Sequence, residues 1–255
     1  MIVIGLGSGR SGTASLAKLI NAQHDALCFH EMNPSCVRFH GTRRPIINTI
    51  EEYQRILDGG NSSELTVDLS RPVAAVAYDK LCTMKSVKLI GDIAFYYLSY
   101  VEDILTVNPN VRFICLKRNK EATVRSWLKK SEIQRWRSKK IADKLSALIT
   151  RQPYYESRNF WQEHDGTEWE KDLVWDKCFP KFDANNKREA IEQYWDFYYS
   201  ESEKIAQKYP EVFRLIQTES LNERQQQVAL LDFIGVAQKE MVFTDAHIHK
   251  LATRD

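Results

Sequence analysis

The chain has 255 residues, a net charge of +2 at neutral pH and 43% hydrophobic residues. This is enough for one large α/β domain or two small ones, and the near-neutral charge argues against a nucleic-acid binder, which is strongly basic. No stretch approaches the roughly 20 apolar residues of a membrane span. The apolar start, residues 1–4, is too short for a secretory signal. We therefore expect a cytoplasmic protein that binds neither membranes nor nucleic acid.

Short apolar segments alternate with helical segments through the first half of the chain. We predict strands at residues 1–5, 26–32, 86–92 and 111–118, and helices at 11–23, 50–60 and 95–109. After Arg118 the pattern is mostly helical, with one more strand at 212–218 and a closing helix at 222–236. This alternation is typical of a mostly parallel sheet covered by helices on both faces. We predict a single domain, residues 1–255, with a three-layer α/β/α fold and a helical C-terminal half.

The cysteines point to a reducing compartment. There are five of them, Cys28, Cys36, Cys82, Cys115 and Cys178. Their number is odd, they form no CxxC pair, and no histidine lies at zinc spacing from them. We expect reduced side chains, as in cytoplasmic proteins, and no metal site.

A glycine-rich stretch, GLGSGRSGT, joins the first predicted strand to the first predicted helix. In this position backbone N–H groups and the helix N-terminus bind an anion, usually a phosphate, so we predict a P-loop-like nucleotide site. Nucleotide triphosphatases need GxxxxGK[ST] here. Aligned on Gly7 and Gly12, this chain has Thr13 instead of the lysine and Ala14 instead of the magnesium ligand, which argues against that class.

A dinucleotide site is a second interpretation of the same loop. Its glycines spell GxGxxG, and Glu31 follows about 20 residues later, where an acid binds a ribose hydroxyl in such proteins. However, residues 10–13, RSGT, offer a cation and two hydroxyls within one helical turn. That set fits a compact terminal anion better than a pyrophosphate.

The stretch GSGRSGTASL, residues 7–16, resembles the 5′-phosphosulfate loop of sulfotransferases that use 3′-phosphoadenosine 5′-phosphosulfate (PAPS), in the branch with R-S-G-T. The resemblance implies donor contacts from Gly9, Arg10, Ser11, Gly12, Thr13, Ala14 and Ser15. It also implies a second motif, in which a strand-end arginine and a serine eight positions later hold the 3′-phosphate. Arg118 and Ser126, in FICLKRNKEATVRS, have this spacing. An arginine at the carboxyl edge of a parallel strand faces the crevice where such sheets bind ligands.

The resemblance extends over most of the chain. Residues 179–222 and 230–236 are similar to the late helix, strand and closing helix of bacterial sulfotransferase-like proteins. By the same resemblance, the C-terminal segment AHIHKLATRD corresponds to a basic loop near the 3′-phosphate, with Lys250 or Arg254 as the contact. The segment lacks the Gly-rich RKGxxGDWK sequence that cytosolic sulfotransferases carry there.

Such a site implies in-line transfer of a sulfuryl group to a hydroxyl or amine, with 3′,5′-adenosine bisphosphate (PAP) as product. By analogy with phosphoryl transfer, catalysis is then mostly positioning and electrostatics. Arg10 and the backbone N–H groups of the loop would hold the leaving phosphate. The transferred group carries less charge than a phosphoryl group, so no metal is required.

The acceptor must lose a proton, so we expect a base near the sulfur. Glu31, at the end of the second predicted strand, is the first choice, and it falls about where protein-tyrosine sulfotransferases place their glutamate. His30 is its neighbour, and adjacent strand residues point to opposite faces, so only one of the two is expected to face the site. Asp92 is the third candidate. Several relatives have a lysine nearby that neutralises the sulfuryl oxygens, and Lys88 is the only cation on that predicted strand.

The segment 127–183 is the predicted acceptor-binding part, because it is rich in aromatic and basic residues. These side chains suit a small-molecule or carbohydrate-like acceptor, although aromatics in such a segment more often form the packing between long helices. Two alternatives to a sulfotransferase stay open at this point: a Rossmann-type NAD(P)-dependent oxidoreductase, and a nucleotide-binding relative without turnover. Arg118 and Ser126 argue against the oxidoreductase, since a nicotinamide cofactor leaves that pair without a role.

Overall fold

A computed structural model of the chain describes residues 1–34, 43–131 and 175–245, together with residues 141, 145, 148, 149 and 161. Five parallel strands form one sheet in the order β2-β3-β1-β4-β5. The strands are β1 (Ile2–Leu6), β2 (Ala26–His30), β3 (Leu89–Ile93), β4 (Arg112–Lys117) and β5 (Phe213–Gln217). The chain moves from β1 to one side of the sheet for β2 and β3, and then to the other side for β4 and β5. The direction therefore changes at β1, whose carboxyl end is a topological switch point where such sheets bind ligands.

Eight α-helices and four short 3₁₀ helices lie within the described ranges. The α-helices are α1 (Thr13–Asn21), α2 (Arg44–Leu57), α3 (Pro72–Thr83), α4 (Val101–Val107), α5 (Lys120–Ser131), α6 (Trp175–Cys178), α7 (Lys187–Lys208) and α8 (Arg224–Phe233). The 3₁₀ helices are Ser62–Glu64, Phe95–Tyr100, Thr218–Asn222 and Gln238–Glu240.

The strand side chains alternate between two apolar layers, one on each face of the sheet. In β4, Phe113 and Cys115 belong to a cluster with residues of α2, α4, α5 and α7. Ile114 and Leu116 belong to the other cluster, with residues of α1 and α8. A strand that is buried on both faces in this way needs apolar residues at every position. The predicted three-layer α/β/α fold with a mostly parallel sheet is confirmed.

The element bounds differ from the prediction at a few places. The second strand ends at His30 and not at residue 32, because Glu31 turns away with a φ of 54°. The helix predicted at 50–60 begins already at Arg44, and the one predicted at 95–109 is divided into a 3₁₀ helix and α4. Helix α3 is absent from the sequence prediction.

In the part of the chain that the structure describes, no helix is both long and apolar enough to cross a bilayer.

Candidate active site

The loop between β1 and α1 has an unusual backbone. Gly9, Arg10 and Gly12 have φ angles of 78°, 57° and 85°, and the N–H of Gly9 donates to the carbonyl of Gly7 at 2.7 Å. Positive φ is easy for glycine and uncommon for arginine. Gly12 is the N-cap of α1, so the loop leads directly into a helix N-terminus, where free backbone N–H groups attract anions.

Two tyrosines of α7 hold the first half of this loop. The phenol oxygen of Tyr198 accepts a hydrogen bond from the backbone N–H of Gly7 at 3.1 Å. The Tyr199 hydroxyl lies 3.2 Å from Ser8 Oγ and donates to the carbonyl of Leu116 at 2.7 Å. The late helix that the sequence predicts is thus the element that anchors the loop to the sheet.

The second half of the loop is enclosed by α5 and by the segment after β5. A Cβ atom at Gly9 would lie 2.5 Å from Trp127 Cζ2, and one at Gly12 would lie 2.5 Å from Thr218 Cγ2. Thr218 Oγ1 also donates to the carbonyl of Ser11 at 2.7 Å. Any side chain at either glycine would displace these neighbours, so the positions require glycine for space as well as for φ.

Arg118 and Ser126 both contact Arg10 of the loop. Arg118 Nη1 donates to the carbonyl oxygen of Arg10, and Arg10 Nε donates to Ser126 Oγ, each at 3.0 Å. Partial burial and then the nearby Arg118 lower the pKa of Arg10. Within the described ranges neither guanidinium forms an ion pair with a carboxylate. Two adjacent cations without an acid are suited to an anionic ligand.

His30 and Glu31 lie at the carboxyl end of β2, next to the same loop. His30 Nε2 is 2.9 Å from Thr13 Oγ1. Glu31 Oε2 accepts a hydrogen bond from Arg71 Nη2 at 3.0 Å, with 33% of the glutamate and 12% of the arginine side chain exposed. The alternation of side-chain directions in β2 ends at His30, because Glu31 lies outside the strand. It therefore does not direct His30 and Glu31 to opposite faces of the sheet.

Glu31 is surrounded by basic side chains. Burial raises the pKa of its carboxyl, but His30, Arg71 and Lys130 together outweigh burial, and the net shift is downward from the ordinary glutamate value. Glu31 is therefore ionised at neutral pH, and a third of its side chain is open to solvent.

Asp92 lies in β3 and is fully buried. Its carboxylate accepts hydrogen bonds from the backbone N–H groups of Met32 (3.1 Å) and Ile93 (2.8 Å) and from the hydroxyls of Tyr96 (3.1 Å) and Tyr97 (2.8 Å). Burial raises its pKa. Asp92 thus ties the chain after β2 to the end of β3, and its oxygens are occupied by these four donors.

Lys88 lies away from the loop. Its ammonium pairs with Asp25 at 3.1 Å on the surface, before the amino end of β3, whereas the loop lies at the carboxyl ends of the strands. Two other cations act on Glu31 instead: Arg71 forms an ion pair with it at 3.0 Å, and Lys130 interacts with it electrostatically. Sequence reasoning missed both, although the i,i+4 spacing of Ser126 and Lys130 was a usable signal.

Part of the predicted site lies outside the described residues. This applies to Lys250 and Arg254 and to most of the predicted acceptor segment 127–183. Among the described residues, no group of His, Cys, Asp and Glu side chains is arranged to hold a metal ion.

The family follows from comparison with known proteins. A family model described as the sulfotransferase domain matches residues 2–210, which include Arg10, Glu31, Arg118 and Ser126. The chain belongs to the sulfotransferase family. Membership makes it a transferase and decides against the oxidoreductase interpretation of the glycine-rich loop.

Two solved sulfotransferase structures are similar to this chain. A sulfotransferase from Alicyclobacillus acidocaldarius is 13% identical, with 97% of this chain and 85% of that chain covered and a TM-score of 0.47. A sulfotransferase domain from the curacin biosynthetic pathway is 17% identical, with coverages of 92% and 74% and a TM-score of 0.45. No curated protein gives a significant match.

Replacing Arg71 with methionine is expected to raise the pKa of Glu31, because the variant loses an ion pair at 3.0 Å. In the wild type the folded-state pKa of Glu31 lies below its unfolded value. The stability it contributes is therefore present above the ordinary glutamate pKa of about 4.3 and lost as the pH falls through the folded-state pKa. Carboxyl ¹³C NMR titration of Glu31 measures the pKa shift directly.

The control is Arg55→Met, which removes an exposed pair with Glu64 at 3.4 Å. It should leave the titration of Glu31 unchanged. An unchanged Glu31 pKa in the Arg71 variant would contradict the assigned ion pair.

Proposed function

We propose that this sulfotransferase moves a sulfuryl group from PAPS to a hydroxyl or amine of a small-molecule or carbohydrate-like acceptor. The observation that carries the proposal is the contact of the two predicted phosphate motifs. Arg118 donates to the carbonyl of Arg10, and Arg10 donates to Ser126. A nucleotide with phosphates on both its 3′ and 5′ positions is the ligand that uses both motifs at once.

The loop is assigned to the 5′-phosphosulfate. Residues 12–14 supply the backbone N–H groups at the start of α1, and Thr13 and Ser15 add hydroxyls. Anions are favoured at this place by the N–H groups of the first helical turn and by the helix dipole together. Arg10 adds a full positive charge beside the leaving phosphate.

Arg118 and Ser126 are assigned to the 3′-phosphate. Arg118 extends from the end of β4, and its backbone carbonyl accepts a hydrogen bond from Trp195 Nε1 at 3.2 Å. This hydrogen bond holds the backbone of Arg118, from which its side chain extends, against α7. Lys250 completes the assignment as a proposed further contact from the C-terminal segment.

In the transfer step, the bond between sulfur and the 5′-phosphate oxygen breaks, and its electron pair stays on the phosphate. The acceptor oxygen or nitrogen forms the new bond to sulfur and gives its proton to a base. Negative charge accumulates on the leaving phosphate, where Arg10 and the loop N–H groups stabilise it. PAP is released.

Glu31 is the proposed base. It is ionised, partly exposed and adjacent to the loop, so it is able to accept a proton from a bound acceptor. His30 already has Nε2 directed at Thr13, which gives it a role in orienting the loop hydroxyl. The enclosed position of Asp92 favours a structural role.

A thermal-shift panel tests the donor. PAP at about 100 times its Kd is expected to stabilise the protein by roughly 3 kcal/mol, or several degrees in Tm, because it binds only the folded state. NAD, NADP and ATP should give smaller shifts. In an Arg118→Ala variant PAP should lose its advantage over adenosine 5′-phosphate. A shift with NAD that equals the shift with PAP would overturn the PAPS assignment.

A further inference from the structure

We propose that Lys130 is a catalytic residue that binds the sulfuryl oxygens during transfer. The inference rests on the proposed function, since it needs PAPS in the loop and Glu31 as the base. The inference goes beyond the proposed function because it places the cation that stabilises the transition state on α5, the helix predicted to bind the 3′-phosphate through Ser126.

Lys130 lies on the face of α5 that covers the loop. Ser126 and Lys130 are four residues apart and therefore adjacent on one face of the helix, and Ser126 Oγ accepts the hydrogen bond from Arg10 at 3.0 Å. Trp127, between them in sequence, packs its ring against Gly9. The ammonium of Lys130 is 4.9 Å from the centroid of this ring. The tryptophan thus fixes both the loop tip and the lysine.

Lys130 interacts electrostatically with the residues proposed to act on the leaving group and on the acceptor. It interacts with Arg10, which holds the leaving phosphate, and with Glu31, the proposed base. Burial lowers the pKa of Lys130, Arg10 and Arg71 lower it further, and Glu31 raises it. An incoming dianionic donor end would offset the repulsion among these cations, so the cluster is suited to receive negative charge.

The described strand β3 offers no cation for this task. Lys88 pairs with Asp25 on the surface. Gly91 has no room for a side chain, because a Cβ atom there would collide with the backbone carbonyl oxygen of Val3. The bond from sulfur to the phosphate oxygen breaks while the bond to the acceptor forms. During this step the ammonium of Lys130 stabilises the negative charge on the sulfuryl oxygens. The acceptor proton goes to Glu31.

The kinetic test uses two neighbouring lysines. Lys129 is exposed and Lys130 half-buried on the same helix turn, so Lys129→Met is a matched control for Lys130→Met. With PAPS as the probe and water as acceptor, we expect sulfate release to fall about a hundredfold in Lys130→Met, with PAP affinity within threefold of wild type. Lys130→Arg should recover part of the rate. Equal rates in Lys130→Met and Lys129→Met would overturn the assignment.

A labelling experiment on the wild-type protein gives a second readout that needs neither turnover nor a variant. Brief acetylation followed by mass spectrometry measures the reactivity of each lysine. We expect PAPS to protect Lys130 more strongly than PAP does, since only PAPS carries the sulfuryl group, and Lys129 to react equally with both. Equal protection of Lys130 by PAPS and PAP would refute the proposal. If neither nucleotide binds, the proposed function fails and this inference fails with it.

Discussion

The Arg10→Ala variant is expected to release sulfate from PAPS at least a hundredfold more slowly than wild type, with the fold intact. Arg10 lies at the surface of the loop, so its removal leaves no cavity in the core. Loss of one preorganised donor to a developing anion costs about 3 kcal/mol in the transition state. The variant also loses the hydrogen bond to Ser126, which connects the two predicted phosphate motifs. The rate of sulfate release at saturating PAPS measures the effect of the substitution on catalysis. Urea unfolding measures its effect on stability separately.

Arg125→Ala is the matched control for this experiment. Arg125 is also exposed and precedes Ser126 on α5, but it belongs to neither phosphate motif, so its removal should leave turnover unchanged. Arg10→Lys should be intermediate, because lysine keeps the charge and loses the planar fork of donors. Wild-type turnover in Arg10→Ala would refute the placement of the leaving phosphate. A rise in KM with unchanged kcat would show that Arg10 binds the ground state and the transition state equally.

The contact between the two predicted phosphate motifs was predictable from the sequence, because both are local patterns at strand ends. Arg10 follows β1, and Arg118 follows β4, and these strands are neighbours in a parallel sheet. The carboxyl ends of such strands meet at one edge. Two separate motifs, 108 residues apart, were therefore expected to meet, and the hydrogen bond from Arg118 to the Arg10 carbonyl joins them.

The rest of the site depends on contacts that local patterns do not contain. Arg71 reaches Glu31 across 40 residues, and it precedes α3, where Ala74 and Leu81 are the buried residues. Two buried residues form too sparse an apolar pattern to predict a helix from the sequence. For Lys130 the predicted helix gave the i,i+4 relation to Ser126, but which face of α5 turns to the loop is decided by the packing of Trp127 on Gly9.

The position of Glu31 illustrates the same limit. A strand pattern extended to residue 32 implies that His30 and Glu31 point to opposite faces. The strand ends two residues earlier, at His30. Asp92 accepts a hydrogen bond from the N–H of Met32 and so holds the turn. The turn depends on a buried carboxylate 60 residues away in sequence.

Replacing Asp92 with alanine is expected to destabilise the protein by about 3 kcal/mol or more. The substitution leaves two backbone N–H groups and two tyrosine hydroxyls without their acceptor in a buried site. Each unsatisfied buried donor costs about 1–3 kcal/mol, partly relieved by rearrangement. The free energy of unfolding in urea measures the loss.

Asp92→Asn keeps the shape of the side chain and should be milder, with a cost that depends on pH. Burial raises the pKa of Asp92 in the folded state. The stability linked to its protonation is therefore fully present below the ordinary aspartate pKa of about 3.9, and it is lost as the pH rises through the folded-state pKa. Asparagine does not titrate, so the cost of the substitution should be largest in acid and decrease towards neutral pH.

Comparison of Asp92→Asn with Glu31→Gln separates a structural carboxylate from a catalytic one. If Glu31 is the base, Glu31→Gln should reduce sulfate release by a factor of about 10² to 10⁴ with little change in unfolding free energy, since its side chain is a third exposed. Asp92→Asn should do the reverse, because its oxygens hold the turn and lie away from solvent. The opposite outcome is an Asp92→Asn protein that folds with wild-type stability but has lost turnover. It would show that the two roles are exchanged, with Asp92 as the base and Glu31 as the partner of Arg71.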